Sequence, residues 1–161
     1  MRIVHIVIAL LAASPAFAQD PVFESEITEQ CQAENPHPDV CIGASAASCI
    51  ESAGGVTAVQ GYCYAEELGY WDDMLNHQYQ LLRETAQRRD VELSEKGFGQ
   101  PIAEEGLRNM QQTWIAYRDA RCGFVGAIYS AGTGAGPAGT ECLMRETAEQ
   151  TLLLSSLREA F

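Results

Sequence analysis

Apolar residues recur at steps of three and four along two long stretches of the chain. In the first stretch these positions are Tyr64, Leu68, Trp71, Leu75 and Leu82, with Gln78 or Tyr79 between the last two. This spacing places apolar side chains on one face of an amphipathic helix. The pattern predicts a helix from about Val56 to Asp90 or Leu93, ended by the glycine-containing segment SEKGFGQP.

The second stretch predicts a helix that opens at Pro101, with Glu104 and Glu105 in the first turn, where the helix dipole favours acids. Its repeating positions are Leu107, Met110, Trp114, Tyr117, Arg121, Val125 and Ile128. The segment SAGTGAGPAGT follows without periodicity, so we expect a loop from Ser130 to Thr140.

A third helix is predicted after this loop, with Thr140 as its N-cap and Glu141 in its first turn. Its apolar line consists of Leu143, Thr147, Leu154 and Leu157. No strand alternation is visible. The predicted fold is a small disulfide-stapled all-α domain over residues 49–158, with a long antiparallel helical hairpin and a shorter third helix.

The N-terminus has the features of a secretory signal. Arg2 precedes the apolar run from Ile3 to Ala13, and Ala16-Phe17-Ala18 has the small-x-small form of a cleavage site. We expect cleavage near Ala18 and a periplasmic or secreted protein without membrane insertion. A retained anchor is the alternative, although the run is short for a bilayer.

Residues 19–48 contain closely spaced prolines, small residues and no helical stripe. They predict an irregular, acidic N-terminal arm stapled by cysteines.

All six cysteines follow the predicted signal, and an even number in an exported chain favours disulfides. No Cys-x-x-Cys occurs and His37 and His77 are isolated, so no haem, metal site or other cofactor is predicted. Six cysteines allow fifteen pairings. Antiparallel geometry brings Cys63 and Cys122 to the open end of the hairpin, which predicts a Cys63–Cys122 disulfide. Cys49 precedes the first helix and Cys142 opens the third near the same end, so Cys49–Cys142 is predicted next. Cys31–Cys41 then remains as a local disulfide.

The formal net charge is −12. Such a surface repels nucleic acid and anionic headgroups, and it attracts a cationic partner. Acidity also keeps exported proteins soluble, so charge alone does not identify a partner.

No catalytic residues are predicted. His77 has no recognisable Ser-Asp partners, the cysteines are expected to be oxidised, and carboxylate pairs are uninformative in so acidic a chain. The chain is therefore expected to be a binding protein rather than an enzyme.

Several polar and aromatic residues are expected to stabilise the hairpin. Trp114 and Tyr117 should pack inward against Trp71 and Tyr79. Asn76 should hydrogen-bond to Gln111, and Arg118 should pair with Asp72 or Asp73.

The glycine-rich loop is the candidate partner-binding segment, because an unpatterned loop on a rigid scaffold suits recognition. It lacks the ending that a phosphate-binding loop needs. One hypothesis is that it enters a partner's cleft through Gly132, Thr133, Gly134, Gly136, Pro137 and Gly139; the alternative is a simple connector between two helices.

Three motifs in order resemble those of the LprI-type lysozyme inhibitor family. WDDMLNHQY resembles D-x-x-L-N-x-x-Y, QQTWIAYRDARC resembles Q-x-x-W-x-x-x-R-D-x-x-C, and GTECLMRET resembles the closing G-T…C-L…T. Besides the cysteines, the matching residues are expected to be either structural or partner-binding: Asp72, Leu75, Asn76, Tyr79, Gln111, Trp114, Arg118, Asp119, Thr140 and Thr147. Gln150 replaces the arginine usual in the family, and the N-terminal arm is an addition.

The resemblance implies a small exported helical protein that inhibits a cationic cell-wall hydrolase such as lysozyme. The alternative is a periplasmic structural or envelope-stress interaction protein of the same family without lysozyme activity.

Overall fold

The computed structural model describes residues 20–100, 102–129 and 132–160. Within these ranges every regular element is helical, which confirms the all-α prediction. The elements are α1 (Glu26–Glu34), a 3-10 helix (Pro38–Cys41), α2 (Ala44–Ser52), α3 (Thr57–Glu95), α4 (Ala103–Ile128) and α5 (Ala135–Ala160). The predicted signal segment 1–18 and the predicted helix start at Pro101 lie outside the described residues.

The bend between α3 and α4 is fixed by a glycine and a carboxylate. Gly97 has φ +73°, and its successor Phe98 donates a backbone hydrogen bond to Leu93 at 3.0 Å. This arrangement closes the C-terminus of a helix and requires a residue that tolerates positive φ. Asp90 then accepts from the N–H groups of Ala103 and Glu104 at 2.9 and 3.0 Å, which caps α4 from α3.

Helix α5 differs from the predicted short third helix. It begins at Ala135 rather than Thr140, it equals α4 in length at 26 residues, and it shares its largest interface with α3. The three long helices therefore form a bundle in which α5 packs against both members of the hairpin. The glycines that suggested a loop include Gly139, which lies at the crossing of α4 and α5.

The predicted irregular arm is also wrong, because residues 20–48 contain α1, the 3-10 helix and the start of α2. Thr28 and Ser45 hold α1 against α2, and each backbone N–H donates to the hydroxyl of the other residue at 3.0 and 3.1 Å. Both side chains are buried. These helices bury hydroxyl and small residues instead of a leucine stripe, so the apolar pattern did not reveal them.

The disulfides are Cys31–Cys41, Cys49–Cys63 and Cys122–Cys142. The first agrees with the prediction, whereas the predicted Cys63–Cys122 and Cys49–Cys142 pairs are wrong. The prediction failed because it treated α3 and α4 as the main interface. Cys63 instead faces α2, which precedes α3, and Cys122 faces α5, which follows α4.

The buried side chains form three clusters. The first consists of Leu75, Leu82, Leu107 and Leu154, the second of Ala46, Cys49 and Cys63, and the third of Trp71, Met144 and Ala148. The second cluster joins α2 to α3, and the other two include residues of α5. The core therefore runs along α3, with α2 and α5 packed against it.

Candidate functional site

The motif residues of α3 separate into core and surface positions. Leu75 is buried and Tyr79 packs beside it in the first cluster. Asp72 and Asn76 are exposed, and the amide of Asn76 donates to Asp72 at 3.1 Å. The predicted bond from Asn76 to Gln111 is therefore wrong, because Asn76 lies on the solvent face of α3.

Gln111 instead accepts a hydrogen bond of 3.0 Å from the side-chain amide of Gln150. Gln150 is buried, so this contact satisfies a polar group within the α4–α5 interface. A neutral amide pair therefore joins α4 to α5 at this position.

Arg118 of α4 makes a second polar contact with α5, through the hydroxyl of Thr147. The guanidinium lies 4.9 Å from the centre of the Trp114 ring, contacts Asp119 at 2.9 Å and donates to the Thr147 hydroxyl at 3.4 Å. The prediction that Arg118 pairs with Asp72 or Asp73 is wrong. The long arginine side chain bends back to its sequence neighbour, a geometry that helix spacing alone does not suggest.

The aromatic residues that were predicted to pack together, Trp114, Tyr117 and Trp71, have different environments. Trp114 packs against the first core cluster, whereas Trp71 belongs to the third. Tyr117 is 55% exposed, so its predicted inward orientation is wrong.

Part of the predicted partner loop is helical. Gly136, Pro137, Gly139 and Thr140 belong to α5, and the Thr140 hydroxyl donates to the Gly136 carbonyl at 3.0 Å instead of capping the helix. A Cβ added to Gly139 would lie 3.8 Å from the Cα of Gly126. Gly139 therefore lies at the contact between α4 and α5 and not in an exposed recognition loop.

An open groove of about 680 Å³ lies between this segment and the start of α3. Its lining contains only small side chains, namely Thr57, Ala58, Gly61, Thr133, Gly136, Pro137 and Thr140. Thr133 and the turn beside it remain the part of the predicted loop that lies outside a helix.

Glu67 is a buried carboxylate that the sequence reasoning missed. It is fully buried and accepts from the backbone N–H groups of Gly43 and Ala46 at 2.8 and 2.7 Å, and from the indole of Trp71 at 3.0 Å. The Thr28 hydroxyl lies at 3.4 Å. One side chain of α3 therefore caps α2 and contacts α1, because an anion is favourable at a helix N-terminus.

The burial of Glu67 could have been predicted from the spacing of buried residues along α3. The buried positions at the start of α3 are Cys63, Glu67, Trp71 and Leu75, each four residues from the next. An acidic residue in that line has to find hydrogen-bond donors within the fold.

Two half-buried tyrosines, Tyr64 and Tyr70, lie beside this carboxylate. Burial raises the pKa of Tyr64, and the negative charge of Glu141 raises it further. Burial likewise raises the pKa of Tyr70, with smaller contributions from Glu29 and Glu67. Both phenols therefore stay protonated to higher pH than in an unfolded chain.

Charge is distributed unevenly over the molecule. Residues 20–82 contain eleven Asp and Glu and no Lys or Arg. Ten of the eleven carboxylates are exposed and Glu67 is the buried one. The five ion pairs of the described ranges all lie between Arg83 and Glu146.

Residues 20–100, 102–129 and 132–160 contain no convergent group of His, Cys, Asp and Glu suited to a metal ion. Among the helices of these same ranges, none has the length and apolarity of a membrane crossing. The fold and its polar contacts define a disulfide-stapled helical domain whose motif residues mainly join helices or face solvent.

Comparison with known proteins identifies the family. Residues 49–154 match the family model described as Lysozyme inhibitor LprI. The chain belongs to this family, as its motifs indicated. A protein of Rhizobium meliloti (strain 1021), itself described as uncharacterized, is 30% identical over 98 residues, which is 61% of this chain and 70% of that protein. No solved structure matches the chain.

Proposed function

We propose that this protein is exported and inhibits a cationic cell-wall hydrolase such as lysozyme by binding it directly, without catalysing a reaction. Membership of an inhibitor family supports the binding function. Three disulfides and no free cysteine among the described residues suit an oxidising compartment, in keeping with the proposed signal at residues 1–18.

The observation that carries this proposal is the uneven charge. The ten exposed carboxylates of residues 20–82 have no Lys or Arg in their own segment and take part in none of the ion pairs of the described residues. Their fields add, because nothing nearby in the sequence neutralises them. A cationic protein is therefore drawn to α1, α2 and the first half of α3.

The rest of the molecule offers much less attraction. Residues 83–160 contain eleven acidic and nine basic residues, and five of these acids are paired. The protein thus has a preferred orientation towards a cationic partner. Residues 20–48 contribute six of the acids and lie outside the family match, so this member's added segment increases the attraction.

The turn containing Gly132, Thr133 and Gly134 is a second proposed contact. This turn borders the groove beside the start of α3. A partner held by the acidic residues 20–82 can therefore reach it. A variant with this turn shortened should inhibit less while keeping the salt dependence of the wild-type protein.

The test is inhibition of lysozyme in a turbidity assay at low and moderate salt, with the oxidised protein lacking residues 1–18. A fourfold variant removes exposed, unpaired carboxylates of the acidic part: Glu24→Gln, Glu34→Gln, Glu51→Gln and Glu66→Gln. The matched control changes the net charge equally through exposed, unpaired acids elsewhere: Glu84→Gln, Glu95→Gln, Glu105→Gln and Glu159→Gln.

We expect stoichiometric inhibition that weakens with salt, with the first variant at least tenfold weaker than the control. Equal inhibition by both variants would contradict the proposed orientation. If no lysozyme type were inhibited, the inhibitor proposal would fail and the periplasmic interaction protein would become the better description.

A further inference from the structure

Three large apolar side chains lie exposed on one face of α4. Tyr117, Phe124 and Ile128 are 55%, 67% and 62% exposed. Their spacing of seven and four residues places them within a narrow stripe along the helix. We call these three residues the α4 stripe. A line of exposed apolar residues on one helix is typical of a contact surface.

The charges beside the stripe are balanced. Arg118 pairs with Asp119, and Arg121 pairs with Glu146 of α5. Between Gly106 and Thr140 the sequence contains three arginines and one acid. A cationic partner therefore gains little at this surface, in contrast to residues 20–82. Two copies of this acidic chain repel each other least when they meet here.

The stripe is complementary to itself. In an antiparallel pair of α4 helices related by a two-fold axis between Cys122 and Gly123, Tyr117 of one copy lies opposite Ile128 of the other. The same axis places Arg121 opposite Phe124. The first pair is an aromatic–aliphatic contact, and the second is a guanidinium against an aromatic ring, which is favourable. A two-fold axis repeats both contacts, as in most homodimers.

The size of the stripe determines how strong such a dimer is. Each exposed side chain contributes roughly 100 Å², so the stripe covers roughly 300 Å² per copy. A stable interface buries about 800 Å² per partner. The contact is therefore too small for a permanent dimer and supports a weak, concentration-dependent association.

We propose that two copies of this chain associate through the α4 stripe as a weak, antiparallel, two-fold symmetric dimer. The acidic residues 20–82 of each copy are not part of this contact. The proposal is independent of lysozyme inhibition, because it concerns a different face of the molecule and a different kind of partner.

Sedimentation velocity of the oxidised protein lacking residues 1–18, over a dilution series, tests the dimer. The wild-type dimer fraction should rise with protein concentration and with salt, because salt screens the repulsion between two acidic copies. Phe124→Arg should weaken association at least tenfold by placing a second cation opposite Arg121. The control Phe98→Arg changes an equally exposed residue (69%) at the α3–α4 bend and should leave association unchanged.

A mixing experiment tests the antiparallel pairing. Tyr117→Lys and Ile128→Glu should each weaken self-association. In a mixture the two variants should form a heterodimer, because one Lys–Glu contact and one unchanged Tyr117–Ile128 contact result. A wild-type protein that stays monomeric at millimolar concentration, or equal effects of Phe124→Arg and Phe98→Arg, would overturn the dimer. A mixture that associates no better than either variant alone would overturn the proposed pairing.

Discussion

The indole N–H of Trp71 donates a 3.0 Å hydrogen bond to the carboxylate of Glu67, one turn earlier in α3. Both side chains are buried, and the same carboxylate accepts from the backbone at the start of α2. The contact therefore links the core of the long bundle to the N-terminal helices.

We predict that Glu67→Gln destabilises the protein by about 1–3 kcal/mol. The amide replaces one acceptor oxygen by a donor, which then faces the N–H groups of Gly43, Ala46 or Trp71. Urea unfolding monitored by tryptophan fluorescence measures the change. Glu66→Gln, at the exposed neighbouring position, is the control and should alter stability by less than about 0.5 kcal/mol. Equal stability of the two variants would mean that the buried hydrogen bonds contribute nothing.

We predict that peptide mapping of the non-reduced protein recovers Cys49 linked to Cys63 and Cys122 linked to Cys142. Replacing both Cys122 and Cys142 by serine should lower the free energy of unfolding by about 3 kcal/mol, as expected for a loop of this length. A peptide joining Cys63 to Cys122 would refute the pairing.

We predict that Gly126→Leu destabilises the α4–α5 crossing by about 1–3 kcal/mol. A Cβ at this position would already contact the Ala135 carbonyl at 3.4 Å and the Cα of Gly139 at 3.8 Å, so we expect the further atoms of leucine to push α5 away from α4. Gly123→Leu is the matched control in the same helix, because nothing lies within 4 Å of its Cβ position. That control should be neutral or stabilising, since leucine favours a helix more than glycine does.

The half-buried Tyr64 and Tyr70 predict a loss of stability in alkali. The folded-state pKa of Tyr64 and of Tyr70 is raised above the ordinary tyrosine value of about 10. The folded protein therefore holds these protons more tightly than the unfolded chain, and the resulting stability is present below pH 10 and is lost as the pH rises through the folded pKa values. Urea unfolding between pH 8 and about 11 should show this decline. Tyr64→Phe combined with Tyr70→Phe should flatten it, whereas Tyr62→Phe on the exposed face should not.

The sequence predicted α3 and α4 better than the helices that pack against them. Steps of three and four residues located α3 and α4, and glycine at position 97 marked the bend. The N-terminal helices were missed because Thr28 and Ser45 stabilise them through hydroxyl groups, which carry no apolar signal. The start of α5 was placed too late because glycine in a helix resembles a loop until the neighbouring helix is known.

The polar contacts were harder to predict for a related reason. Gln111, Arg118 and Asn76 each had several partners within reach along an idealised hairpin. Their actual partners depend on where α5 packs against α3 and α4, and the spacing of residues along the chain does not reveal that position. Motif spacing therefore identified the family and the residues involved, whereas the contacts required the assembled bundle.

The disulfides join the first cysteine to the second, the third to the fourth and the fifth to the sixth. A chain that crosses a membrane from its N-terminus presents its cysteines in this same order. If the chain is exported as proposed, each thiol meets its proper partner before the next pair emerges, and oxidation during translocation leads directly to the native connectivity. Such a protein should mature with a simple thiol oxidase and without the help of a disulfide isomerase.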